Sequence, residues 1–171
     1  MKVVNLFCGP GGGKSTTATG IFYILKSRHH INCEYVSEYA KVLAWERDNV
    51  KITDQLYVTA KQNRGLERLS GQVEYAITDS PLLLGLHYAT SYKLKSLRPL
   101  TIELFNSYDN INFFIRRTKP YNPAGRWQNA EQAVAIDGEI LKLLKELNVP
   151  FIEINGDENA AETIVWHLTS K

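Results

Sequence analysis

Residues 3–16 read Val3-Val4-Asn5-Leu6-Phe7-Cys8-Gly9-Pro10-Gly11-Gly12-Gly13-Lys14-Ser15-Thr16. The first six form an apolar, β-rich run, the glycines follow, and an amphipathic stretch opens at Lys14, which gives the order strand, loop, helix. Gly9, Gly11, Gly12 and Gly13 allow positive φ and a close backbone approach, so successive N–H groups can surround phosphate oxygens at the positive end of a helix. In the pattern G-x-x-x-x-G-K-[ST] the lysine reaches the β- and γ-phosphates and the hydroxyl meets Mg²⁺. Those tasks fall here to Lys14 and Ser15, with Thr16 in the same helix turn. Cys8 stands where the pattern has its first glycine. A glycine-rich turn capped by Ser15, with Lys14 in solvent, would use the same residue types but would not require a strand before it and a helix after it. The stretch therefore predicts a P-loop for a nucleotide such as ATP.

A length of 171 residues suits one domain with a core of its own. Apolar content near the average, with mixed charge, excludes general disorder, and no apolar run is long enough for a membrane span. The run after Met1 and Lys2 is too short for a secretory signal, so the expected location is the cytoplasm. The two cysteines, Cys8 and Cys33, form no C-x-x-C pair and predict no disulfide framework. Cys8 reads as a small space-filling residue. A net charge of +2 does not by itself predict a nucleic-acid partner.

Short β-rich runs alternate with amphipathic stretches, the pattern of an α/β domain in three layers, with a mostly parallel five-stranded sheet and helices on both faces. Strands are expected over Val3 to Cys8, Cys33 to Val36, Tyr75 to Asp79, Asn112 to Ile115 and Phe151 to Ile154. Helices are expected over about Lys14 to Ser27, Tyr39 to Glu46, Asp54 to Ser70, Leu100 to Ser107, Gln128 to Leu147 and Glu158 to His167. Pro99 suits the opening of the fourth of these, Thr53 or Asp54 the cap of the third, and Asn155-Gly156-Asp157 the turn into the last. Between Arg116 and Trp127, Pro120, Pro123 and Gly125 oppose regular structure and predict a lid-like loop. Ligands of such sheets bind beyond the carboxyl ends of the strands. The P-loop, Glu38, Asp79 and Arg116 all fall at such ends.

Asp79, at the end of Tyr75-Ala76-Ile77-Thr78-Asp79, is placed to hold Mg²⁺ beside Ser15; an acid capping the next helix is the structural alternative. Ser80 follows it, rather than the second acid that water-activating motor modules use, which favours transfer to an organic acceptor. Glu38 is the general-base candidate, able to take a proton from an acceptor hydroxyl, against the alternative of an ordinary acid in a helix first turn. Arg116, Arg117 and Arg126 offer guanidinium forks for phosphate oxygens, and a solvated run of cations is the alternative for each. Gln55, Gln62, Asn63 and Arg64 read as the wet side of an amphipathic helix, or else as part of an acceptor pocket. His87, Tyr88 and Tyr92 read as core or surface residues, or as a stacking wall. No His and Cys cluster has metal-ligand spacing.

Four segments carry a resemblance: Gly9 to Thr16, Ser37-Glu38-Tyr39-Ala40-Lys41, Thr78-Asp79-Ser80-Pro81 and Lys119-Pro120-Tyr121-Asn122-Pro123-Ala124-Gly125-Arg126. Over nearly its full length the chain resembles small P-loop kinases of the nicotinamide-riboside-kinase-like group, which includes phage nucleotide kinase-like proteins. It is also similar in size and kinase core to phage enzymes that phosphorylate hydroxymethyl pyrimidines in DNA. The resemblance implies an ATP- and Mg²⁺-dependent kinase over residues 1–171, with Glu38 as the acceptor-side carboxylate, Asp79 as the metal-linked acid and Arg126 as the lid arginine. For a phage protein the location would be the host cytoplasm.

From Lys93 to Arg126 the cations Lys93, Lys95, Arg98, Arg116, Arg117, Lys119 and Arg126 outnumber Glu103 and Asp109, which suits a polyanionic acceptor. The acceptor stays open between a free nucleoside, a nucleotide and DNA, and a homo-oligomer stays open as well. The competing reading is a nucleotide-dependent DNA-binding or switch ATPase without an organic acceptor.

Overall fold

Five strands, β1 (Lys2–Phe7), β2 (Cys33–Val36), β3 (Tyr75–Thr78), β4 (Asp109–Arg116) and β5 (Ile152–Asn155), form one sheet in the order β2-β3-β1-β4-β5. Every paired neighbour runs parallel. The protein is described here as a computed structural model over residues 1–89, 92–122 and 128–170. Around the sheet lie α1 (Lys14–Ser27), α2 (Tyr39–Glu46), α3 (Asn49–Thr53), α4 (Gln55–Glu67), α5 (Leu84–Tyr88), α6 (Leu97–Asn106), α7 (Ala130–Glu146) and α8 (Ala160–Thr169). None of the helices in the described residues is long and apolar enough to cross a membrane.

The alternation of β1 divides the core in two, because successive side chains point to opposite faces of a strand. Val4, Leu6 and Cys8 pack with Ile21 and Leu25 of α1 and with Ile164 and Val165 of α8. Val3 and Phe7 pack with Leu66 of α4, Leu83, Phe105 of α6, and Ile140 and Leu144 of α7. Each such fully buried aliphatic side chain contributes about 1.5–3 kcal/mol. Asn5 breaks the apolar run of β1 but is buried in a polar cluster, where its Nδ2 donates to Asn110 Oδ1 at 2.8 Å and Asn112 Oδ1 at 3.0 Å. The β1–β4 register places Asn5 opposite Asn112.

Element ends differ from the sequence expectation where capping and pairing decide them. β4 begins at Asp109 rather than Asn112 because Lys2 of β1 pairs with it. α6 begins at Leu97, so Pro99 sits in its first turn, where an N–H has no intrahelical partner. Asp54 is the cap of α4 and accepts Tyr57 N–H at 3.2 Å. α7 starts at Ala130 behind a reciprocal capping box of Asn129 and Gln132. The five-residue helices α3 and α5 are too short to print a helical period and were not expected.

All strands being parallel, their carboxyl ends share one rim, and β1 sits at the point where the strand order reverses. The turn after β5 packs beneath this rim. Gly156 N–H donates to Arg116 O at 2.8 Å, and a Cβ at Gly156 would lie 2.8 Å from that same oxygen, so only glycine fits.

Candidate active site

Gly11 and Gly13 adopt left-handed φ values of 75° and 97°, and Gly13 leads directly into α1 at Lys14. A side chain at either would strain the loop. Cys8, where the strict pattern has glycine, is not among the positive-φ residues; its thiol is buried in the core and lies against Gly12, where an added Cβ would collide with Sγ. The departure from the pattern thus falls at a position where the backbone needs no glycine. Burial pushes the Cys8 thiol up, and burial raises Cys33 to about 11. Because the thiolate is the reactive form, both cysteines should resist alkylation at neutral pH in the native protein and react only after denaturation. Native-state labelling of Cys8 at the rate of a free thiol would contradict this packing.

Lys14 folds back over the loop, its Nζ donating to Cys8 O at 2.8 Å and Gly9 O at 3.2 Å. Burial works against its charged form, but the field of Cys8, Glu38, Tyr88 and Asp79 outweighs burial and leaves the pKa raised. The cation is retained.

Asp79 is buried, and its Oδ2 accepts the Ser15 hydroxyl at 2.5 Å while its Oδ1 has no hydrogen-bond partner among the described residues. It does not cap the following helix, since α5 starts only at Leu84 with Leu83 as its cap residue. Tyr35, which sequence reasoning did not single out, stands against the same pair. Burial pushes its phenol up, and the Asp79 carboxylate adds to the shift.

Glu38 precedes α2, yet its side chain caps no backbone N–H. Gln62 takes over that task from α4, accepting Tyr39 N–H on Oε1 at 3.0 Å. Gln62 is buried, with Nε2 donating to Thr78 Oγ1 at 3.3 Å, so it belongs to the site wall and not to the wet side of its helix. The Glu38 carboxylate is left to the rim. Burial raises its pKa, the Lys14 ammonium opposes the rise and the Asp79 carboxylate adds to it.

The structure separates the arginines. Arg116 is exposed and its Nε donates to Glu153 Oε2 at 2.5 Å on the neighbouring strand. Arg117 is partly buried beside the P-loop: Nε donates to Asp137 Oδ2 at 3.1 Å and Nη2 to Pro10 O at 2.9 Å. Among the described residues its Nη1 has no hydrogen-bond partner, and a Cβ added at Gly11 would lie 3.4 Å from it. Asp137 completes the tie by accepting Gly9 N–H at 2.5 Å on Oδ1. Sequence reasoning missed Asp137. The available signal was an acid four residues after Ala133 and three before Ile140, both on the buried face of α7. The expected lid lies only in part within the described residues: Tyr121 stacks under Arg117 at 5.8 Å and donates to Gln128 O at 2.6 Å, whereas Arg126 and Trp127 lie outside them.

Among the described residues no cluster of three or more His, Cys, Asp or Glu side chains could hold a metal ion. The Ser15 and Asp79 pair fits a different arrangement. Mg²⁺ keeps several waters and substrate phosphate oxygens and takes only one or two protein ligands, and the unpartnered, buried Asp79 Oδ1 suits such a hard cation.

A family model described as AAA domain matches residues 3–161. Among solved structures, the NadR protein in complex with NR superposes with a TM-score of 0.75 at 18% identity, over 99% of this chain and 51% of that one. The chain thus spans about half the length of NadR. The deoxyadenosine kinase from M. mycoides, with products dCMP and a flexible dCDP bound, gives a TM-score of 0.60 at 17% identity, over 100% of both chains. No curated protein matches the chain in sequence. At these identities the structural likeness shows the fold alone, an α/β domain built on a five-stranded parallel sheet.

Proposed function

The chain belongs to the AAA domain family, and from that premise we propose that it moves the γ-phosphoryl group of ATP to a nucleoside or nucleotide. The observation that carries this reading is the Glu38 carboxylate, which caps nothing and stands in the field of Lys14 on the rim that holds the glycine loop. Ser80 stands directly after Asp79, where water-activating modules carry their second acid, which favours assigning Glu38 at the end of β2 to an acceptor hydroxyl. The similarity in fold to a deoxyadenosine kinase supports the same choice.

In this reading the backbone of Gly9 to Gly13 with Ser15 and Thr16 holds the triphosphate, and Lys14 offsets charge on the transferring group. Arg117 supplies its unpartnered Nη1 to a phosphate oxygen. Ser15 and Asp79 would hold Mg²⁺, which supplies charge neutralisation on the phosphates. Arg126 is the lid arginine that the kinase resemblance implies, and Arg116, engaged by Glu153, has no part. Glu38 orients the acceptor hydroxyl and takes its proton as that oxygen attacks the γ-phosphorus and the bond to the bridging oxygen of ADP breaks.

Glu38→Gln should therefore reduce transfer by about 10²–10⁴-fold with ATP binding unchanged. Because burial raises the Glu38 pKa, the ionised base is lost at a higher pH than for an ordinary glutamate, and wild-type turnover should fall on the acid side at that displaced position. Steady-state kinetics across pH, with ATP titrations of both proteins, check both statements. Weakened ATP binding with transfer retained would make Glu38 a structural residue. ADP release stimulated by an acceptor separates the kinase from a switch ATPase, which would show none.

A further inference from the structure

A groove of about 260 Å³ runs along β2, the edge strand, lined by Tyr39 and Val42 of α2, by Lys61, Gln62 and Arg64 of α4 and by Arg68, its C-cap. The three cations are spaced three and four residues apart, which sets them on one side of the helix, where like charges repel one another. Among the described residues none of the three enters an ion pair. The nearby acids turn elsewhere: Glu67 accepts from Tyr108 Oη at 3.1 Å, and Glu34 pairs with Lys26 at 2.8 Å. Lys61 Nζ is held over the rings of Tyr57 and Tyr39, at 5.5 and 5.8 Å from their centres. Gly65 lets α4 close on β2, since a Cβ there would lie 2.8 Å from Val36 Cγ1. The groove is a cationic slot with no acidic side chain in its lining.

Its position ties it to the reaction rim. Ser37 and Tyr39, the residues on either side of Glu38, belong to its lining, and Gln62 joins them by donating to Ser37 O at 3.4 Å and accepting Tyr39 N–H at 3.0 Å. The volume is below the roughly 300–1,000 Å³ of whole small-molecule sites, so the slot suits part of a ligand. We propose that it binds a phosphate the acceptor already carries, so that the acceptor is a nucleotide whose free hydroxyl is presented to Glu38. This rests on the phosphotransferase reading. Arg64 and Arg68 would fork onto the phosphate oxygens and set the choice of a phosphorylated over an unphosphorylated acceptor.

The test compares wild type with the double variant Arg64→Gln, Arg68→Gln, using labelled ATP and three acceptors: nucleoside 5′-monophosphates, the parent nucleosides and single-stranded oligonucleotides. Wild type should prefer the monophosphate, and the double variant should raise its KM at least about tenfold, the loss of one charge-assisted contact, with KM for ATP unchanged. KM for the nucleoside should be the same in both proteins. Preference for the nucleoside, or an equal change for nucleoside and monophosphate, would overturn the proposal. Preferred labelling of the oligonucleotide, lost in the double variant, would support the phosphate slot with a backbone diester as its source. If no acceptor is labelled, the kinase reading fails by itself and the slot is judged by calorimetric titration of a monophosphate: binding weakened at least about tenfold in the double variant supports it, and equal or absent binding overturns it.

Discussion

Lys14→Ala is expected to lower phosphoryl transfer at least about 10²–10³-fold, the cost of removing one preorganised charge donor from a reacting centre. In the structure the Lys14 ammonium donates to the carbonyl oxygens of Cys8 and Gly9 and stands in the field of Glu38 and Asp79. Its loss removes the cation that would face the β- and γ-phosphates and leaves two acids on the rim without their positive neighbour. Folding should survive, because the core clusters on both faces of the sheet are built from other side chains. A coupled assay for ADP with a parallel thermal melt checks the prediction. Wild-type turnover in the variant would contradict the site assignment.

Asp137→Ala is expected to destabilise the protein by roughly 3–5 kcal/mol, the usual cost of breaking a buried ion pair from one side. Arg117 and Asp137 side chains are only 13% and 15% exposed, so solvent cannot replace the lost carboxylate. The same change strips the acceptor from Gly9 N–H and frees the guanidinium that donates to Pro10 O. For a domain of this size the melting temperature should fall by about 6–20 °C. Asp137→Asn keeps an acceptor for Gly9 N–H and should lose less. In folded Asp137→Asn protein, KM for ATP should rise, since Arg117 is no longer held beside Gly11. A melting temperature within a degree of wild type for Asp137→Ala would show that the tie contributes nothing.

Much of this arrangement is legible in the chain because it depends on local signals. The apolar run before Gly9, the glycines and the β-rich runs ending at Glu38, Asp79 and Arg116 give the sheet and its functional rim, since parallel strands bring their carboxyl ends together. Ser15 and Asp79 meet for that reason. What depends on packing between distant segments is not legible in the same way. Gly9 and Asp137 are 128 positions apart, and only the docking of α7 over the loop joins them. Arg116 and Arg117 are adjacent and chemically identical, so the choice between them comes from the alternation of side chains at the end of β4, which sends one to Glu153 and the other to Asp137. Gln62 has the composition of a solvent-facing residue and is buried because Tyr39 N–H and Thr78 Oγ1 need partners there.

In the proposed reaction one site, formed by the P-loop, Asp79 and Glu38, directs transfer to an acceptor. Its most direct test is to follow the label of γ-labelled ATP in the presence and absence of nucleosides and nucleotides, with wild type and Lys14→Ala side by side. Label should appear on a nucleoside or nucleotide with wild type and on neither with the variant. Label released only as inorganic phosphate, at the same rate with and without acceptors, would contradict it.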